Sequence, residues 1–317
     1  MRESLVNGAS VERLLLLNAA LRSGLIDALD REGAWSAAEI ASTAGANLRA
    51  VQMVLEALVA EGVVDRVTAE TYRLSNLGRA HLVEKGPNFE RSGILHLAGR
   101  VANWLTLSET IRVGKPSEAN SVKRDLRSFV SAMGERPSVV LEEIVEVCLS
   151  YAGQINTMID LGGAVGHIAR QFSRSGVLST LFDKPGVIPI AREYLGEEAV
   201  DITLLGGDFL ESLPSESFDL VYLGNISHIY GPQTNLQLMS AIAGILPPGG
   251  TIAIQDLVWG RSARAPMFAV NMLQSTEDGG VWSEEQYRDW LKRTGYSAIE
   301  VFDLETTGSQ LILGRKL

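Results

Sequence analysis

Residues 157–166, TMIDLGGAVG, decide the fold. A short, mostly apolar run reaches Asp160 and Leu161, two glycines turn the chain, and HIARQFSRSG (167–176) follows with helical spacing. The unit recurs outward from there. TLFDKPG (180–186), ITLLGGDF (202–209), DLVYLGN (219–225) and TIAIQDL (251–257) are apolar runs that each end in a polar or glycine-bearing turn. Between them lie the helical stretches VIPIAREYLG (187–196) and NLQLMSAIAGIL (235–246), the latter stopped by Pro247–Pro248–Gly249–Gly250. Near-continuous apolar strands separated by helices predict a parallel sheet covered on both faces, a doubly wound α/β domain. SEEQYRDWLKRTG (283–295) adds a helix, and SAIEVFDL (297–304) and SQLILGRK (309–316) add two strands.

The first half reads differently. VERLLLLNAALRSGLIDAL (11–29) carries Leu14, Leu17, Leu21 and Leu25 at helical spacing, with Gly24 leaving one helix or two open. Ser36 and Glu39 form a capping-box pattern for a short helix ended by Gly45, and Asn47 caps the next, LRAVQMVLEALVAEG (48–62). VVDRVTAETYRLS (63–75) reads as a hairpin. Helix, turn, helix and hairpin in that order predict a winged helix-turn-helix module over about residues 10–85. Residues 86–150 read as wholly helical, with ILHLAGRVANWLTLSETIR (94–112) running to a Gly114–Lys115–Pro116 stop, then DLRSFVSAMG (125–134) and a helix starting from Pro137.

With 317 residues, 46% apolar and 21% charged, the chain is a packed globular protein, long enough for two domains. Its lone cysteine, Cys148, excludes an intrachain disulfide framework and a cysteine-based zinc site. The longest purely apolar runs, such as Leu14–Leu17, are far shorter than the ~18 residues of a membrane span. The opening MRESLVNGAS shows no basic-then-apolar leader, so a soluble cytoplasmic protein is expected, with no membrane partner. The net charge of −10 argues against unspecific attraction to nucleic acid.

Ligands of an open α/β sheet bind beyond the carboxyl ends of its strands. Those ends carry Asp160–Gly162–Gly163–Gly166, Asp183, Gly207–Asp208–Phe209, Gly224–Asn225–His228 and Asp256. Glycines let the backbone approach a ligand, and the following helix offers unpaired N–H groups. Asp183 stands 23 residues after Asp160, where a nucleotide site puts the acid for ribose hydroxyls. The glycines do not spell G-x-G-x-x-G, and no G-x-x-x-x-G-K-[ST] loop exists in the chain.

DLGGAVG, LFDKPGVIPIARE, GGDFLESLP, FDLVYLGNISHIYG and LPPGGTIAIQDLV resemble the successive motifs of S-adenosylmethionine-dependent small-molecule O-methyltransferases. The likeness is to the metal-independent type with an N-terminal winged-helix dimerisation domain, and it covers nearly the whole chain. It implies a Rossmann-like catalytic domain over 151–317, a winged-helix dimerisation domain over 1–90 and a helical connector over 91–150 that contributes to the substrate pocket. It also implies a homodimer and a small-molecule acceptor, aromatic or polyketide-like. Asp160, Gly162 and Gly163 would line the methionine part of the cofactor, Asp183 would take both ribose hydroxyls, Asp208 and Phe209 would hold the adenine, and Asn225 would complete the cofactor set. His228 falls at the family's catalytic histidine. Trp104, Phe129, Met133, Met267, Phe268, Asn271 and Met272 would surround the acceptor.

Two departures stand out. Ala164–Val165 replaces the usual glycine and Thr or Ser, and His228–Ile229–Tyr230 replaces the common His-Asp-Trp. The carboxylate next to the histidine is thus absent, and Asp256, Glu277 and Asp278 are the candidates to orient it. An imidazole titrates close to neutral pH, which suits it to deprotonate an acidic hydroxyl. Of the other histidines, His81 reads as a solvated helix end, His96 as a core residue and His167 as a flank of the glycine loop. Two alternatives remain. One is an enzyme that holds S-adenosylmethionine, or its product S-adenosylhomocysteine, while catalysing a decarboxylation, hydroxylation or pericyclic step. The other is a winged-helix transcription regulator, disfavoured because residues 1–90 carry nine Lys/Arg against twelve Asp/Glu.

Overall fold

The computed structural model describes Leu5 and residues 10–83, 89–117, 126–127, 130 and 138–317. It separates into two compact units, Met1–Ala102 and Asn103–Leu317.

In the first unit, α1 (Val11–Arg22) and α2 (Leu25–Leu29) are two helices, because Gly24 takes a left-handed conformation at φ +73°. The Leu17–Leu21–Leu25 stripe is buried, as its spacing requires. Trp35–Ser36 (β1) precedes α3 (Ala37–Ala44), whose expected capping box forms in full. Asn47 accepts the N–H of Ala50 at 3.2 Å and opens α4 (Leu48–Ala60). The hairpin of β2 (Val64–Arg66) and β3 (Thr71–Leu74) gains β1 as a third strand, in the order β1-β3-β2. α5 (Asn76–Leu82) follows, then α6 (Arg91–Trp104). His81, expected at a solvated helix end, is instead only 3% exposed. The last turn of α5 faces inward, and Nδ1 of His81 lies 3.4 Å from Glu90 Oε1.

The single helix expected through residues 94–112 is broken. The N–H and Oγ1 of Thr106 fold back onto the Asn103 carbonyl at 3.1 and 2.8 Å, ending α6 before α7 (Leu107–Val113) starts. Gly114 then ends α7 at φ +75°. The helix read over 125–134 lies almost entirely outside the described residues. α8 (Ser138–Ala152) begins the α/β layers.

The strands are β4 (Thr157–Leu161), β5 (Leu178–Asp183), β6 (Ile202–Gly206), β7 (Leu220–Gly224), β8 (Thr251–Asp256), β9 (Tyr296–Asp303) and β10 (Gln310–Lys316). The interleaved helices are α9 (His167–Arg174), α10 (Ile188–Leu195), α11 (Pro232–Gly244), α12 (Ala265–Ser275) and α13 (Glu284–Arg293). Sheet order is β6-β5-β4-β7-β8-β10-β9, parallel except that β10 runs antiparallel between β8 and β9. The order reverses between β4 and β7, and the carboxyl ends beside that reversal are where a crevice opens.

Side-chain alternation explains the continuous apolar strands. Met158, Leu220, Tyr222 and Leu311 pack with Ile144, Cys148 and Phe172 of α8 and α9 on one face. Ile159, Val221, Leu223 and Ile254 pack with Leu238, Ile242 and Trp290 of α11 and α13 on the other. Both faces are buried, so most strand positions are apolar.

Candidate active site

The β4 turn sets the first wall. Gly162 has φ +71°, and a Cβ added to it would come within 2.7 Å of Ile226 Cδ1 and 3.3 Å of Phe209 Cε1. At Gly163 a Cβ would run into the Asp160 carboxylate and approach Leu181 Cδ1 to 2.6 Å. Gly163→Ala is therefore expected to cost about 1–3 kcal/mol of stability in urea unfolding. Gly244→Ala, where a Cβ on α11 meets nothing within 4 Å, should gain about 0.5–1 kcal/mol instead.

Ala164 keeps the left-handed backbone of the glycine it replaces, at φ +53°. What holds it there is visible: its N–H donates to Asp183 Oδ2 at 2.8 Å. The Lys184 N–H donates to Asp183 Oδ1 at 2.7 Å. Each oxygen of Asp183 thus spends one lone pair on the backbone and keeps acceptor capacity. Burial pushes the Asp183 carboxyl above its ordinary range, and Asp208 adds to this, against the two N–H groups and Lys184.

Asp208, at the turn after β6, accepts the Leu210 N–H at 2.9 Å. Phe209 is buried and meets Tyr230 edge-on, with ring centroids 6.3 Å apart. Tyr230 is half-buried, and its hydroxyl is held above the ordinary range by burial and by the negative charges of Asp208 and Asp183. This tyrosine accordingly joins the Asp183–Asp208 end of the crevice to the turn after β7. Asn225 opens that turn at φ +58°, a conformation asparagine tolerates, and its N–H donates to the Gln255 carbonyl at 2.8 Å.

His228 follows in a single helical turn, Ser227–Ile229. Parallel pairing sets Gly224 opposite Gln255, which brings Asp256 beside the turn. Nδ1 of His228 lies 2.8 Å from Asp256 Oδ1, and the His228 N–H donates to Oδ2 at 3.1 Å. Oδ1 also accepts the Leu257 N–H at 2.8 Å. A carboxylate holding these donors is an acceptor at both oxygens, so Nδ1 carries the imidazole proton and Nε2 is left with its lone pair. Among the described residues Nε2 has no hydrogen-bond partner. Glu277 and Asp278 are exposed, and Asp256 is the acid that orients the ring. Behind it, burial first and the negative charge of Asp256 second hold the Tyr287 hydroxyl well above its ordinary range and neutral.

Phe268 meets the His228 ring edge-on at 4.8 Å and 88°. Asn271 and Met272 are buried on the same helix, α12, whereas Met267 is 62% exposed. Trp104, at the end of α6, is half-buried. Phe129 and Met133 lie outside the described residues. His167 is buried in the first turn of α9, and His96 is half-buried on α6. Sequence reasoning missed Gln274, a fully buried amide on α12. The signal was present, since a glutamine in the apolar helix APMFAVNMLQS needs partners as much as Asn271 does.

Residues 112–297 match the family model described as an O-methyltransferase domain, and residues 11–84 match the O-methyltransferase dimerisation domain. The chain belongs to the O-methyltransferase family. Enzymes of this family take their methyl group from S-adenosylmethionine, and this methyltransferase acts on a small molecule. It is 27% identical to tetracenomycin polyketide synthesis 8-O-methyl transferase TcmO of Streptomyces glaucescens, over 88% of this chain and 86% of that one. It is also 27% identical to acetylserotonin O-methyltransferase of Mus musculus, over 94% of this chain and 83% of that one. Its fold is that of human N-acetylserotonin methyltransferase in complex with SAM, with a TM-score of 0.74 at 23% identity, covering 96% of this chain and 93% of the human one. Membership sets aside the regulator among the alternatives. Among the described residues of this methyltransferase, no helix is long and apolar enough to cross a membrane.

Proposed function

We propose that the enzyme transfers the methyl group of S-adenosylmethionine to a hydroxyl of a small aromatic or polyketide-like compound, with His228 as general base. The observation that carries this reading is the His228–Asp256 pair at 2.8 Å, which fixes the imidazole tautomer and leaves Nε2 to take a proton. The carboxylate missing at Ile229 is supplied by Asp256 from the next strand, so that departure does not favour a non-methylating reaction. The relatives' names, a polyketide 8-O-methyl transferase and an acetylserotonin O-methyltransferase, support the acceptor class.

The residues present fit the cofactor. The glycine turn packs tightly against Asp160, Leu181, Ile226 and Phe209, and Asp183 keeps a free lone pair on each oxygen for two ribose hydroxyls. Asp208 and Phe209 would flank the adenine, with Asn225 closing the set. Bound S-adenosylmethionine supplies a sulfonium-activated methyl, so no metal is required. The protein's own task is alignment and deprotonation: Phe268 and Asp256 hold the imidazole from two sides, and Nε2 takes the hydroxyl proton as the acceptor oxygen attacks. Trp104, Phe129, Met133, Met267, Phe268 and Asn271 form the acceptor side of this reading. Incubation with tritiated S-adenosylmethionine and a panel of hydroxyarenes tests it. Labelled methyl ether is the expected product; cofactor binding without transfer to any acceptor would refute the reading.

Ribose binding requires Asp183 ionised, and burial raises its carboxyl above the ordinary 3.8. Affinity for S-adenosylhomocysteine should consequently fall as pH drops through that raised value, and Asp183→Asn should flatten the dependence. Calorimetric titrations over a pH series would read this directly.

We further infer a cytoplasmic homodimer formed through residues 1–90, with 91–150 contributing to the pocket and 151–317 catalytic. The exposed apolar side chains of Val11, Leu15, Leu48 and Met53 support the dimer. Gel filtration at micromolar concentration should give twice the chain mass.

A further inference from the structure

Helix α12 carries one fully buried polar group that the methyl transfer does not use. Gln274 is 1% exposed, and both ends of its amide are engaged. Its Oε1 accepts from Thr110 Oγ1 at 2.6 Å, and its Nε2 donates to the Asn103 carbonyl at 3.0 Å. Thr110, on α7, is itself fully buried. The Asn103 carbonyl belongs to the last turn of α6, where carbonyls lose their intrahelical partners, and it collects three donors: the N–H and Oγ1 of Thr106 and the Gln274 amide. The next residue along the chain is Trp104.

At the other side of α12 stands Phe268, edge-on to His228 at 4.8 Å. Six residues separate it from Gln274, about 9 Å along the axis. The segment after the helix returns to the same place, since the Gly280 N–H donates to the His228 carbonyl at 3.0 Å. Helix α12 is therefore tied to the His228 turn by Phe268 and Gly280, and to the Asn103–Thr110 segment by Gln274. An apolar side chain at 274 would let the two elements slide, because dispersion contacts have little directional preference. An amide whose donor and acceptor both need partners in a dry interior tolerates only one register.

We propose that Gln274 is a positioning residue that sets the span of the acceptor pocket, by fixing Trp104 and α7 against the helix that presents Phe268 to His228. The inference rests on the reading that Trp104 and Phe268 flank the acceptor. It makes Gln274 matter to the acceptor and not to the cofactor, whose proposed binding residues sit at the ends of β4, β5, β6 and β7 and not on α12. It also makes Thr110, which touches neither, a second handle on the same geometry.

The test uses the full chain labelled with 5-fluorotryptophan, with the Trp104 resonance assigned by Trp104→Phe. The protein is saturated with S-adenosylhomocysteine and titrated with 1-naphthol as the probe. In the wild type the Trp104 line should shift and saturate. Gln274→Leu should raise the Kd for 1-naphthol about tenfold while leaving that for S-adenosylhomocysteine within about twofold. Thr110→Val removes one hydroxyl at nearly constant volume, and should give about a threefold rise in a protein that still folds. Gln274→Glu offers a sharper signature. Its neutral acid can donate to the Asn103 carbonyl and its carboxylate cannot, so the ratio of its 1-naphthol Kd to the wild-type value should climb between pH 6 and 8, with the His228 contribution common to both proteins. Unchanged 1-naphthol affinity in Gln274→Leu and Thr110→Val, or equal losses for both ligands, would overturn the positioning role and leave the acceptor reading standing. A wild-type Trp104 line that ignores 1-naphthol would remove the acceptor reading and the proposal with it.

Discussion

Asp256→Asn should lower kcat by about 10²–10⁴, the range that a correctly presented general base contributes. Asparagine keeps the size of aspartate and changes only its donor pattern. Its amide can offer an N–H to Nδ1 of His228, where the carboxylate can only accept. The proton then moves to Nε2, the atom that must be empty to receive the acceptor's proton. His228→Ala should fall to the same floor. The double variant should be no slower than His228→Ala, because the two residues act as one unit. Steady-state rates with a methylated hydroxyarene, alongside calorimetry with S-adenosylhomocysteine, would separate this from a folding defect. Cofactor affinity should stay within about twofold of wild type in both single variants. An Asp256→Asn enzyme within threefold of the wild-type kcat would show that the pair at 2.8 Å does not carry the base chemistry.

Asp183→Ala should weaken S-adenosylhomocysteine binding by two orders of magnitude or more. Each hydrogen bond from a ribose hydroxyl to a carboxylate contributes about 1.5–3 kcal/mol, and Asp183 offers two. The substitution also removes the acceptor of the Ala164 N–H at 2.8 Å. Ala164 sits at φ +53°, which costs an alanine about 1–2 kcal/mol that a glycine would not incur. Without Asp183 nothing described compensates that strain, and the turn should relax away from the cofactor. Adding Ala164→Gly to Asp183→Ala should consequently recover part of the loss, a coupling measurable in a calorimetric cycle.

The catalytic domain was legible because its physics is local. Strands buried on both faces are apolar at most positions, and the turns that end them carry the glycines and acids that face the crevice. Asp160, Asp183, Asp208 and His228 were all readable as strand-end residues for that reason. The Ser36–Glu39 capping box was equally local. Pairing was less legible. Three acids were candidates to orient His228, and only the register of β7 against β8 puts Asp256 beside it. Nothing in TIAIQDL encodes that register by itself. Likewise the antiparallel insertion of β10 between β8 and β9 follows from sheet assembly, and SQLILGRK reads the same wherever it pairs. His81 was misread because a polar residue at a helix end is ordinarily solvated, whereas here that end faces the core of the first unit beside Glu90. The break at Thr106 needed the Asn103 carbonyl as a rival acceptor, a contact that helical spacing cannot reveal.

A crystal structure of the enzyme with S-adenosylhomocysteine would test the central claim most directly. Both ribose hydroxyls should lie about 2.5–3.0 Å from the Asp183 carboxylate. The sulfur should face Nε2 of His228 across a gap that admits one acceptor oxygen. A nucleoside seated away from Asp183, or a sulfur turned from the imidazole, would contradict the account.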